Sequence, residues 1–112
     1  MNIAKITPDC YVSGALSSDV TTTASTPVIA AQGARFRTYI TAIGVTNSHA
    51  SQGTVVKILN GTTLKWRGYA FPGAGFTVQP LLRGDLNAAW NVQCETSGAA
   101  VQCSLSGFVS TE

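Results

Sequence analysis

His49 is the only histidine of the chain, and a general base needs an imidazole held by a second group. It stands in Asn47-Ser-His-Ala-Ser-Gln-Gly53 with no acid or cysteine beside it, which reads as a solvated loop residue. The five acids, Asp9, Asp19, Asp85, Glu95 and Glu112, are dispersed. A carboxylate pair for glycoside hydrolysis would have to be assembled by the fold, and none of the five lies in a suggestive motif. Cys94 and Cys103 share the inward parity of two strands expected to be neighbours. They could form a disulfide or half a metal site, but zinc needs four ligands and only Cys10 and His49 remain to supply them. The competing reading is a pair of buried thiols acting as small apolar residues. No cofactor or metal is expected, and the chain is read as a non-enzyme.

Two basic–aromatic triplets stand out, Arg35-Phe-Arg37 and Lys65-Trp-Arg67. On a strand this spacing puts two cations on one face and the ring on the other, whereas a single-strand nucleic-acid platform needs both on one face. Aromatics in the core and cations turned towards acidic groups of a neighbour fit the parity better, so no nucleic-acid partner is expected. Trp66, Tyr69 and Phe71, if exposed, could stack on sugar rings. Asn60-Gly-Thr62 and Arg83-Gly-Asp85 match short recognition motifs, but turn chemistry accounts for both.

The elements that position these residues are β-type throughout. Asn60-Gly61 between two apolar runs is a hairpin signal. A two-residue loop pairing Leu59 with Thr62 would put Val55, Leu59, Leu64 and Trp66 in the core. Val56, Ile58, Thr63, Lys65 and Arg67 would then lie on a half-covered contact face. Gly68 to Pro80 reads as a crossing between sheets, with Phe71 and Phe76 plugging the core and Tyr69 exposed. Arg35 to Thr46 keeps neither face polar, which implies a bulge near Gly44 or cover on both faces. Trp90, Val92 and Cys94 alternate with Asn91, Gln93 and Glu95, and Val101, Cys103 and Leu105 alternate with Gln102, Ser104 and Ser106. No window carries helical periodicity. About eight short strands predict an all-β, single-domain antiparallel β-sandwich of jelly-roll type over residues 10–112, preceded by an arm over 1–9.

Composition narrows the class. With 112 residues the chain can bury one modest core. Charged residues are 11% and the net charge is +2, which favours neither nucleic acid nor a membrane surface. No apolar run is long enough to span a bilayer. The opening Met1–Pro8 has no apolar h-region, so no signal peptide is expected. Three cysteines, an odd number, fit synthesis in a reducing cytoplasm.

Pro27-Val-Ile-Ala-Ala-Gln-Gly-Ala-Arg-Phe-Arg37, Ala70-Phe-Pro-Gly-Ala-Gly-Phe76, Val78-Gln-Pro80 and Ser106-Gly-Phe108 together resemble the small jelly-roll decoration, or cement, proteins of tailed-bacteriophage capsids. The resemblance covers about residues 27–109 and rests on layout and glycine placement. It implies a virion structural protein, made in the host cytoplasm and carried on the capsid surface as a dimer or trimer, that clamps adjacent major capsid subunits. The partner-contact candidates are Ile3 and Ile6 on the arm, and Val56, Ile58, Lys65, Arg67 and Tyr69 on the body. The alternative is a phage tail or fibre module that binds host surface glycans.

Overall fold

The computed structural model describes residues 10–112, so the expected arm, with Ile3 and Ile6, lies outside the described residues. Nine strands follow in order: β1 Tyr11–Ala15, β2 Thr26–Ile29, β3 Arg37–Asn47, β4 Thr54–Asn60, β5 Thr63–Ala70, β6 Ala74–Val78, β7 Leu82–Arg83, β8 Trp90–Cys94 and β9 Val101–Ser110. One sheet has the order β1-β9-β3-β6, with β7 also paired to β3; the other has the order β2-β8-β4-β5. Every pairing of named strands is antiparallel. Only β4 to β5 is a hairpin within one sheet. β6 and β7 follow each other along one edge of β3, and all other connections cross between the sheets. Setting the two-residue β7 aside leaves the eight strands and double Greek key of a jelly roll. The expected fold class therefore holds. The extra strand arises because Pro80, which has no N–H to donate, interrupts the ladder between Val78 and Leu82.

Period-2 patterning decides which faces meet. Val101, Cys103 and Leu105 of β9 point into the sandwich, opposite Trp90, Val92 and Cys94 of β8. Along β3, Thr38 and Ile40 point inward, and so do Ile43, Val45 and Asn47. The phase changes at Thr41, where the register against β9 slips between Ile40 and Ala42. The face-switching bulge is thus real but sits at Thr41 rather than near Gly44. Gly107 lies opposite Ile40 at this point, and a Cβ there would overlap the Tyr39 carbonyl oxygen, so the two strands can approach only with glycine in that place.

Two buried asparagines tie the loops to the sheets. The Asn47 side-chain amide donates to the Gln52 and Ala70 carbonyls at 2.8 and 3.2 Å, and its oxygen accepts from the His49 and Ala100 N–H groups at 3.1 and 3.2 Å. Asn47, expected at the head of the polar loop, is instead the buried end of β3. Asn60 ends β4 in the same way, accepting from the Asp85 N–H at 2.6 Å and donating to the Ala89 carbonyl at 3.4 Å. Buried amides hydrogen-bonded in this way favour one arrangement of the loops that meet on them.

Candidate contact face on the hairpin

The β4–β5 hairpin turns through Gly61 and Thr62, with Gly61 at φ 60° and Asn60 paired to Thr63. Leu59 pairs with Leu64, and the register then slips so that Ile58 faces Trp66 and Lys57 faces Arg67. Lys65 is the extra residue of this bulge. Beside the turn the pairing is shifted by two residues from the expected one, and past the bulge by three; that odd step turns β4 over relative to β5. Val56 and Ile58, expected on the contact face, are 0% exposed and belong to the core. Of the residues expected in the core, Leu59 is buried and Trp66 packs against the core, but Val55 is half-buried and Leu64 is exposed.

The outer face of the hairpin is therefore built from Val55 and Lys57 on β4, and Arg67 and Tyr69 on β5. Lys57 stands directly across from Arg67, and Val55 across from Tyr69. Among the described residues no carboxylate lies within 4.0 Å of Lys57, Lys65 or Arg67. Like charges directly opposite each other on neighbouring strands are destabilising. Among the described residues this cationic pair thus has no counter-charge at contact distance. Arg67 and Tyr69 are exposed and Lys65 is half-buried, so these three of the expected contact residues do reach the surface. Lys57 was missed because the wrong register turned it inward.

Beside this pair lies an aromatic one. Tyr69 is 44% exposed and Phe71 is 65% exposed, their rings 4.6 Å apart and edge to face. Phe71 does not plug the core as expected. It opens the turn closed by Ala74 N–H donating to the Phe71 carbonyl at 3.2 Å, with Gly73 at φ 69°, and this turn carries the ring out to solvent. Phe76 does turn towards the core, packing against Trp66 at 5.8 Å where the two sheets' edges meet. The crossing from one sheet to the other over Gly68–Pro80 is as expected.

The other candidate residues are accounted for structurally. The His49 Nδ1 accepts from the Ser51 and Gln52 N–H groups at 3.1 and 2.9 Å, which shapes its own loop. Among the described residues no group of three or more His, Cys, Asp or Glu could hold a metal ion. Cys94 and Cys103 are buried free thiols, and they come from β8 and β9 in opposite sheets rather than from adjacent strands. Burial raises both thiols, and Cys103, pushed up further by Cys94, reaches about 12.

A test of this burial follows from the sign of the shift. Unfolded chains ionise the Cys103 thiol near 9.0 while the folded one keeps its proton to about 12. Its contribution is complete below pH 9 and is lost as pH rises towards 12, at up to about 1.4 kcal/mol per pH unit. Wild type should therefore lose more stability than Cys103→Ala in urea titrations run below and above the ordinary thiol value. Parallel alkaline losses in the two proteins would show that the thiol is not shielded.

No family model matches this chain, and no curated protein matches it. Matches are found among solved structures. A structure of Bacillus endospore appendages, described as disulfide-linked pili, is 11% identical over 88% of each chain with a TM-score of 0.50. The Tobacco streak virus coat protein dimer is 13% identical over 92% of this chain and 88% of that one, with a TM-score of 0.41. A chain of the cyanophage Pam1 capsid asymmetric unit is 12% identical over 88% of this chain and 81% of its own, with a TM-score of 0.37. At such identities the likeness is one of fold, and the spore-appendage structure shares the β-sandwich.

Proposed function

We propose that the chain is a non-enzymatic structural protein of a tailed-phage particle, a decoration (cement) protein that clamps adjacent major capsid subunits from the virion surface. The observation that carries this reading is the outer hairpin face, where Lys57 and Arg67 stand opposed with no counter-charge among the described residues, beside exposed Tyr69 and Phe71. A partner with acidic groups and an apolar rim relieves the repulsion and covers the rings. The jelly-roll body supports the reading as a stiff mount, and so does the layout of residues 27–109. Assembly as a dimer or trimer would multiply modest contacts through avidity. No nucleic acid, membrane or cofactor enters this function.

The test is co-sedimentation of the full chain with capsid shells of the phage that encodes it. Lys57→Glu with Arg67→Glu should lower shell occupancy at least tenfold, about 1.4 kcal/mol, while the thermal midpoint stays near that of wild type. A wild-type chain that leaves every shell bare would sink the proposal.

The exposed Tyr69–Phe71 pair favours a second reading, a tail or fibre module that binds glycans. An edge-to-face pair leaves ring surface open but offers no common flat platform for a sugar. Glycan-array binding that Phe71→Ala removes would favour this alternative over the clamp.

A further inference from the structure

Among the described residues β5 is the last strand of its sheet and pairs only with β4, so from Thr63 to Ala70 no described strand lies along the other side of its backbone. An open edge of this length is a template for another chain. Resting on the hairpin reading above, we infer that this edge accepts an extended segment of the partner as an added strand, and that this segment alternates acidic and apolar side chains.

The alternation follows from what lies on each face of β5. On the outer face, acids of an added strand would sit beside Arg67, with Lys57 one strand further in at about 10 Å, so they would offset the charge of the pair that now repels. On the inner face, β5 presents Trp66 and Gly68. The indole lies back along the strand, so that a Cβ on Gly68 would stand 2.6 Å from it. Trp66 also meets Phe76 of β6 across the gap between the sheets' edges. Both rings are only partly buried, so the open side of the sandwich here is apolar. Alternate residues of an added strand would cover these rings, and main-chain hydrogen bonds would supply affinity that does not depend on sequence.

Charge also sets which chains the edge refuses. Two β5 edges of identical copies would bring Lys65 and Arg67 of one close to those of the other, and like charges across paired strands are disfavoured. Lysine and a bulge on an edge strand protect against such self-pairing. That protection does not account for Lys57, which lies on the interior strand β4, where it adds repulsion without shielding the edge. An acidic occupant accounts for all three cations. A nucleic-acid strand is less suited, because the exposed rings stand edge to face instead of forming a stacking surface beside the cations.

The experiment mixes the full chain with a short peptide alternating Glu and Val, with its Lys/Val counterpart, and with single-stranded oligothymidylate, following amide exchange by NMR. The inference expects the Glu/Val peptide to bind at least tenfold more tightly than the other two, to weaken with salt, and to protect amides of β5. Lys57→Glu with Arg67→Glu should abolish that protection. Equal binding of the Lys/Val peptide, tighter binding of the oligonucleotide, or protection on β1 or β6 instead of β5 would each overturn it. Shell binding with no added protection on β5 would defeat the added strand and leave the clamp standing. Peptide protection on β5 without shell binding would do the reverse.

Discussion

Trp90→Ala is expected to remove about 3–5 kcal/mol of stability, a large share of the 5–15 kcal/mol typical of a domain. Trp90 is 0% exposed and opens β8 at the centre of the sandwich. Its indole N–H donates across the core to the Thr38 carbonyl on β3, in the opposite sheet, at 3.0 Å. The residue therefore supplies both packing volume and a polar tie between the sheets. Trp90→Phe separates the two, since it keeps much of the ring and removes the donor. The Thr38 carbonyl would still accept from the Gly84 N–H at 3.1 Å and would not be orphaned. The phenylalanine variant should thus lose only about 1–2 kcal/mol. Urea unfolding should rank the midpoints wild type, then phenylalanine, then alanine, at similar slope. Equal losses in both variants would mean that the inter-sheet hydrogen bond, not the volume, carries the effect.

The strands that could be read directly are those that alternate without interruption. Trp90, Val92 and Cys94, and Val101, Cys103 and Leu105, sit on strands flanked on both sides in their sheets, so one face is buried along the whole length. Neither strand needs a register decision to reveal its inward face. β3 is less transparent because its bulge at Thr41 lies opposite Gly107, a residue distant in sequence, and no local pattern marks that contact. The interruption of β6 and β7 was visible as Pro80, but the return of Leu82 and Arg83 to the same edge of β3 was not.

Which hairpin residues reach the surface was legible only in part. Lys65, Arg67 and Tyr69 reach the surface because cations and a tyrosine on an edge strand have few other places to go. Phe71 was lost because its apolar character argued for burial, whereas the turn at Gly73 carries it outward against Tyr69. Val56 and Ile58 were misplaced for a sharper reason. β4 reads Val55-Val56-Lys57-Ile58-Leu59, with two large apolar residues on either parity. Alternation alone cannot choose between them. The choice is made by β8, which sets Cys94 beside Val56 and Val92 beside Ile58, and by the bulge at Lys65, which absorbs the extra residue of β5.

That register has a direct consequence for two adjacent residues. Ile58→Lys is expected to cost about 4 kcal/mol or more, because it places an unpaired ammonium in a fully buried position. Its neighbours there, Val92 and Trp66, offer no carboxylate. Lys57→Ile makes the reciprocal exchange on the outer face, where surface substitutions move stability by about 0.5 kcal/mol or less. It also removes one member of the like-charged pair with Arg67, so its small effect should be neutral to favourable. Thermal melts should show Ile58→Lys largely unfolded and Lys57→Ile close to wild type. Shell binding should fall in Lys57→Ile even though its fold is intact. The opposite ranking in the melts would require the hairpin to be turned over, with Lys57 inward, and would remove Lys57 from the contact face together with the charge argument built on it. A tolerated lysine at position 58 beside an unfolded Lys57→Ile therefore decides the face by itself, because no single register can place both residues on the same side of β4.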